Sequence, residues 1–260
     1  MKTVILCGGK GTRLREKTES IPKPLVEIGG YPILWHIMKI YSHHGFNDFV
    51  LCLGYLSGRI KEFFVELASF KKRDFRLKMN STGEPEITSL GGSTEEWGIT
   101  FAETGEETNT GGRIKRIEKY IDEDLFFATY GDGISDVNIS ELLKFHRSHG
   151  KIATLMINQP RTSFGVIAVD ENNLITGFNE KPKLKTFVNC GFFVFDKKIF
   201  DYMDDNCILE RDTLPKLSAE GQLAAYRHPG FWDCMDTYKD NVLLNEQWAA
   251  GKAVWKLWSD

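Results

Sequence analysis

The sequence predicts an α/β fold, a mostly parallel sheet with helices on both faces joined to a smaller mixed or antiparallel lobe. Three observations carry this. As far as Gln159, strand-like apolar runs alternate with amphipathic helical stretches, the rhythm of a parallel sheet wrapped by helices. LFFATY, at Leu125 to Tyr130, is a continuous apolar run of the kind buried on both sides of such a sheet. Beyond Gln159 the texture changes to short strands around the polar turn Asp170-Glu171-Asn172-Asn173, which predicts a hairpin.

Taken in order, Thr3 to Cys7 reads as the first strand and Asp48 to Leu53 as the second. Between them Ile33-Leu34, Ile37-Met38 and Ile40-Tyr41 recur at helical spacing. That helix is expected to end at His43-His44, which the dipole favours, with Gly45 as its stop. Ser57 to Ala68 predicts a helix, Phe75 to Met79 and Ile99 to Glu103 predict strands, and Gly112 to Ile121 a helix with a basic face. After LFFATY come a helix at Ser140 to His149 and a strand at Ile152 to Ile157. In the smaller lobe FGVIAV and LITGFNEKP form the hairpin, VNCGFFVFD adds a strand, residues 197–220 are helical, and Asp236 to Gly251 is a last helical run. The expectation is a single domain over 1–260, with a core at 1–158 and the lobe and C-terminal helices at 159–260.

Composition narrows the function classes. With 42% apolar and 27% charged residues the chain is ordinary globular protein, and a formal charge of -3 supplies no basic field for nucleic acid. No run approaches the roughly 18 apolar residues of a membrane span, and the N-terminal apolar stretch is too short for a secretory signal. The five cysteines are odd in number and lack a C-x-x-C pair. The expectation is a cytoplasmic protein with reduced thiols.

CGGKGTRL, residues 7–14, sets three glycines directly behind the first strand. The architecture is Rossmann-like, but the dinucleotide fingerprint is absent, because Leu14 stands where the third glycine of G-x-G-x-x-G belongs. A Walker A loop fails too, since its first glycine would fall at Val4 and Gly11 replaces the Ser or Thr that binds magnesium. What remains is either a structural turn or a loop whose backbone N–H groups converge on an oxyanion, with Arg13 at its far end.

Other segments add chemistry. Lys23 is held between Pro22 and Pro24, a rigidity suited to placing one cation against a phosphate. Asp132 lies between Gly131 and Gly133 at the end of a buried strand, the edge where open α/β sheets bind ligands. Glu180 and Lys181 in FNEKP, with Asn189 close behind, offer hydrogen bonds to sugar hydroxyls and a cation for an anionic substituent, or else a solvated surface pair. Asp236 in HPGFWDCMDT is either the N-cap of the last helix or a second carboxylate partnering Asp132.

In this order and at these distances the segments resemble the sugar-1-phosphate nucleotidyltransferases, with their L-x-G-G-x-G-T-R-L, P-K-P, G-D, F-x-E-K-P and late aspartate. The match runs from Lys2 to about Tyr238. The resemblance implies a fold of the nucleotide-diphospho-sugar transferase type, with nucleotide bound by the core and sugar phosphate by the lobe. It gives Leu6, Cys7, Gly8, Gly9, Lys10, Gly11, Thr12 and Arg13 to the nucleotide and its phosphates, and places Thr108, Arg113 and Gly131 along the nucleotide wall. It assigns Lys23 to phosphate, Asp132 and Asp236 to Mg²⁺, and Glu180, Lys181 and Asn189 to the sugar phosphate.

Within the family, VEIGGYPILWHIMKIYSHHG, TGGRIKR, TYGDG and HPGFWDCMDT are most similar to members that join CTP to glucose 1-phosphate. The alternatives are a thymidylyl or uridylyl donor, or a non-catalytic nucleotide-sugar sensor, which would have no need to retain Arg13, Lys23 and the aspartates. The implied reaction is attack of a sugar phosphate oxygen on the α-phosphorus, which needs alignment and charge neutralisation rather than an acid–base pair. In that scheme Arg13 meets the leaving pyrophosphate, Lys23 the α-phosphate and Lys181 the attacking phosphate. The resemblance also implies a homo-oligomer.

Overall fold

The apolar runs pair into one seven-stranded sheet in the computed structural model, which describes residues 1–11, 14, 18, 20–69, 75–79, 85–89, 95–162 and 164–259. Its strands are β1 (Thr3–Leu6), β2 (Asp48–Leu53), β3 (Gly98–Glu103), β4 (Leu125–Tyr130), β5 (Ala153–Asn158), β6 (Val188–Asp196) and β7 (Leu223–Arg227). Their spatial order is β7-β5-β6-β4-β1-β2-β3. Every pairing is parallel except the two made by β6, which lies antiparallel between β5 and β4. The expected α/β class is thus the observed one.

Burial on both faces explains the continuous apolar runs. Along β1, Val4 and Ile5 enter opposite cores; along β4, Phe126 and Ala128 face one core and Phe127 the other. One core is covered by α1 (Ile33–His43), through Ile33, Leu34, Ile37 and Tyr41. α2 (Ser57–Ser69) follows β2 and adds Ile60 to the same core. The opposite core takes Ile114 from α3 (Thr110–Arg116). α1 closes at His44 with Gly45 at φ 82°, the stop the sequence predicts.

Four differences from the expectation matter. VNCGFFVFD, expected in the smaller lobe, is β6 in the middle of the sheet, because its run of buried residues from Cys190 to Phe195 needs cover on both faces. The predicted helix at Gly112 to Ile121 is α3 followed by a 3₁₀ turn at Glu118–Tyr120. α4 (Ile139–His149) begins one residue earlier than predicted and is capped by Asn138, whose side chain accepts from the Glu141 N–H. The stretch 197–220 breaks into a 3₁₀ turn at Lys197–Tyr202, a π turn at Leu209–Thr213 and the short α5 (Leu214–Ala219).

The hairpin does form, from Val166–Val169 and Ile175–Asn179. Asp170 closes its turn by accepting from the N–H groups of Asn172 and Leu174, each at 2.9 Å. It stands clear of the sheet with Val169, Leu174, Ile175 and Phe178 exposed. The last helix, α6 (Tyr238–Ala249), docks on the N-terminal half through Asn241, whose amide donates to the Glu27 carbonyl at 2.9 Å. The tail beyond it brings Trp255 and Trp258 to His36, a fully buried ring whose Nε2 lies 2.9 Å from the Ile28 carbonyl.

Candidate active site

The C-terminal ends of β1 and β4 open onto a cavity of about 580 Å³. Its walls among the described residues include Leu6, Cys7, Gly8, Gly9 and Gly11 of the loop, Thr108 to Thr110 at the start of α3, and Tyr130 to Gly133. This is the sheet edge that the topology reserves for ligands.

Hydrogen bonds from three sides hold the loop. The Cys7 N–H donates to the Cys52 carbonyl at 3.0 Å, the Gly131 N–H to the Leu6 carbonyl at 3.1 Å, and the Tyr55 N–H to the Gly8 carbonyl at 3.1 Å. Beneath it lies Arg113, only 4% exposed. Its guanidinium donates to the carbonyls of Leu53, Gly105, Gly8 and Glu106 and to the Thr104 hydroxyl, at 2.6 to 3.1 Å. A Cβ on Gly8 would stand 2.0 Å from Arg113 Nη1, so only glycine permits this approach. Arg113 lines the cavity, but its Nη donors are committed to the protein: it braces the loop. Burial pulls its pKa below the usual guanidinium value.

Lys23 sits in a 3₁₀ turn, Lys23–Leu25, and its ammonium donates at 2.6 Å to Asp132 Oδ2 and at 2.6 Å to Asp236 Oδ1. Burial alone would lower its pKa, but the charge and hydrogen bond of Asp132, reinforced by Asp236, hold it above the ordinary value. Asp236 is brought there by a two-stranded ribbon in which Trp232–Cys234 pairs with Gly133–Ser135, Cys234 opposite Gly133. The Met235 N–H donates to the Asp132 carbonyl at 2.9 Å. The N-cap of α6 is Thr237, in a capping box with Asp240, which leaves the Asp236 carboxylate directed at Lys23. The cap reading of Asp236 is therefore replaced by Thr237.

Two carboxylates converging on one cationic nitrogen form an all-oxygen donor set. The Lys23 ammonium bridges these two carboxylates, and Mg²⁺ requires only one or two protein carboxylates when phosphates and waters complete its shell. No group of three or more such side chains suited to a metal occurs among the described residues. The residues present fit Mg²⁺ in that phosphate-dependent way.

The other predicted residues divide. Thr108 and Gly131 line the cavity, Thr108 donating its hydroxyl to the Thr104 carbonyl at 2.6 Å. Asn189 also lines the cavity. Lys10 pairs with Glu107 at 2.5 Å on the surface, outside the lining. Glu180 and Lys181 are exposed at the end of the hairpin, 3.8 Å from each other, and are not among the residues that line the cavity. Thr12 and Arg13 lie outside the described residues.

Several wall residues lie within the quoted segments but received no role there. Tyr130 donates its phenol hydroxyl to Glu210, and Glu210 also accepts from Thr110 at 2.7 Å. Burial, then the neighbouring Glu210 charge, push the Tyr130 phenol above its ordinary range. Cys190 and Cys234 also line the cavity, their thiols pushed up to about 12, chiefly by burial.

Residues 2–240 match the nucleotidyl transferase family, and the chain belongs to it. Within the family the chain is similar to a probable glucose-1-phosphate cytidylyltransferase of Bacillus subtilis (strain 168), 45% identical over 260 residues covering 99% of this chain and 100% of the relative. The glucose-1-phosphate cytidylyltransferase of Salmonella typhi is 42% identical over 267 residues, with the same coverage. Among solved structures, HddC from Yersinia pseudotuberculosis shares the fold at a TM-score of 0.69 and 24% identity, over 95% of this chain and 99% of that one.

Proposed function

We propose that the protein transfers the cytidylyl group of CTP to glucose 1-phosphate, giving CDP-glucose and pyrophosphate. The observation that carries the reaction class is the convergence, at one cavity, of the glycine loop, Lys23 and the Asp132–Asp236 pair. The choice of base and sugar rests on the full-length likeness to the two cytidylyltransferases.

A phosphate oxygen of the sugar attacks the α-phosphorus; the bond from that phosphorus to the bridging oxygen breaks, and pyrophosphate leaves in line. The nucleophile is already an anion, so the protein must align and neutralise rather than abstract a proton. The backbone of Leu6 to Gly11 receives the nucleotide, Lys23 meets the α-phosphate, and Arg13 faces the departing pyrophosphate. Asp132 and Asp236 would hold Mg²⁺, which when bound supplies charge neutralisation to the polyphosphate. Asn189 is the sugar-side group this cavity itself provides, while Glu180 and Lys181 ride on the hairpin outside it. The same reading makes the protein a cytoplasmic homo-oligomer, with the exposed apolar hairpin as contact surface; a monomer in sedimentation equilibrium would remove that part.

The test is pyrophosphate release with glucose 1-phosphate across CTP, UTP, dTTP, ATP and GTP. The expected result is a kcat/KM for CTP at least about tenfold above the others, roughly 1.4 kcal/mol of discrimination. Preference for dTTP or UTP would reassign the donor, and no release with any nucleotide would overturn the reading.

A further inference from the structure

Glu210 lies outside the cavity lining, yet three of the side chains that form the wall depend on it. It sits in the π turn Leu209–Thr213. That turn is pressed against the start of α3: a Cβ on Gly111 would lie 2.4 Å from Cys207 Sγ, and the Gly112 N–H donates to the Cys207 carbonyl at 3.0 Å. One carboxylate oxygen accepts from Tyr130 and the other from Thr110. The Thr110 oxygen in turn accepts from the Leu209 N–H at 3.0 Å, so its hydroxyl is satisfied as both donor and acceptor.

Counting hydrogens around this carboxylate fixes the polarity of the wall. A carboxylate brings none, so the one hydroxyl hydrogen of Tyr130 goes to Glu210, and toward its other neighbour the phenol oxygen can only accept. Asn189 therefore turns its amide nitrogen to Tyr130, with Nδ2 at 3.3 Å from the phenol oxygen. The far end of the amide is set independently, because Asn189 Oδ1 accepts from the Gly191 N–H at 2.7 Å. Gly191 has φ 73°, and a Cβ there would stand 2.2 Å from the Tyr130 ring, so ring and amide occupy one tightly fitted arrangement. Of the two amide hydrogens one is given to Tyr130 and the other is left for a ligand.

We propose that Glu210 is a positioning residue that, acting through Tyr130, locks Asn189 as a hydrogen-bond donor to an acceptor oxygen of the sugar 1-phosphate. This rests on the reading of the cavity as a sugar-1-phosphate nucleotidyltransferase site. Without the carboxylate the phenol can donate to Asn189 instead of accepting from it, and the amide loses its fixed sense. The ligand atom opposite Asn189 is then no longer matched to a single polarity.

The experiment is steady-state pyrophosphate release with the sugar phosphate and the nucleotide varied separately, for Glu210→Gln, Tyr130→Phe, Asn189→Ala and the double variants with Asn189→Ala. Thermal melting establishes that each variant is folded. A glutamine can donate as well as accept, and Tyr130→Phe removes the relay while keeping the Glu210–Thr110 bond, so it carries the test if Glu210→Gln does not fold. The expected result is a KM for sugar phosphate raised about tenfold in each single variant, with the nucleotide KM within about twofold, the split that marks loss of one ligand-specific hydrogen bond. Glu210→Gln and Tyr130→Phe should add nothing further once Asn189 is alanine.

Equal rises in both KM values, or full additivity with Asn189→Ala, would make Glu210 a merely structural residue and overturn the inference while the catalytic reading stands. A wild-type protein that releases pyrophosphate with no hexose 1-phosphate would bring down that reading, and this inference with it.

Discussion

Replacing Lys23 by methionine should cost stability, and a divalent cation should return it. Asp132 Oδ2 and Asp236 Oδ1 each lie 2.6 Å from the same ammonium nitrogen, so they are at most 5.2 Å apart. With the cation gone, two like charges at that separation repel by about 3 kcal/mol at an effective dielectric near 20. Side-chain rotation relieves part of this, since the carboxylates are 27% and 31% exposed and the lysine 12%. About 2 kcal/mol remains, between the cost of breaking a fully buried pair and a surface one. The Lys23 pKa is raised above its ordinary 10.5, so the ammonium's contribution is full at neutral pH and is lost only as pH rises through the raised value. For a chain of this size the melting temperature should fall by about 4–8 °C at pH 7.5 in chelator. Scanning calorimetry with and without millimolar Mg²⁺ reads both parts: the cation should raise the variant's melting temperature markedly and the wild type's little, because Lys23 competes for the same oxygens. A variant that melts with wild type, or a cation effect equal in both, would refute the bridging role.

Three further outcomes follow, two from the geometry and one from the proposed reaction. Arg113→Lys keeps the charge but not the fork, leaving buried acceptors under the loop unpaired; it should lose about 3 kcal/mol in urea denaturation, and an unchanged midpoint would remove the bracing role. His36 is fully buried with its pKa lowered to about 4, chiefly by burial, so the unfolded chain takes up its proton first and stability should fall as pH drops from about 6.5 toward 4. His36→Gln should flatten that acid limb by about 3 kcal/mol, and an identical slope would show that another group controls it. Arg13→Ala should lower kcat by about 2 kcal/mol or more if its guanidinium meets the leaving pyrophosphate; wild-type turnover would take it out of the reaction.

The parts of the fold that could be read in advance are those whose signal is local. LFFATY announced a strand covered on both faces because alternate residues enter opposite cores. VNCGFFVFD carries the same signature, but its neighbour in the chain is an exposed hairpin, and insertion between β4 and β5 is a long-range pairing that no local pattern records. The ribbon Gly133–Ser135 with Trp232–Cys234 is too short to show a period, yet it delivers Asp236. The site divides likewise. Asp132 was legible from its flanking glycines, whereas Asp236 was ambiguous until Thr237 took the cap. Lys23 was legible as a fixed cation, but not that carboxylates would be its partners in this structure. Glu210 gave no signal at all, because its meaning lies in hydroxyls 80 and 100 residues away.

The ribbon that carries Asp236 also determines when in the life of each molecule the site comes into being. Lys23 emerges early during synthesis, but its second carboxylate follows 213 residues later. β6, which closes the middle of the sheet beside β4, also comes from the last third of the chain. Domains are made from the N-terminus onward, and pairings this distant are completed late. A nascent chain still on the ribosome presents the glycine loop and a lysine whose acidic cradle is only half built. Chains released before Asp236 lack the carboxylate pair altogether.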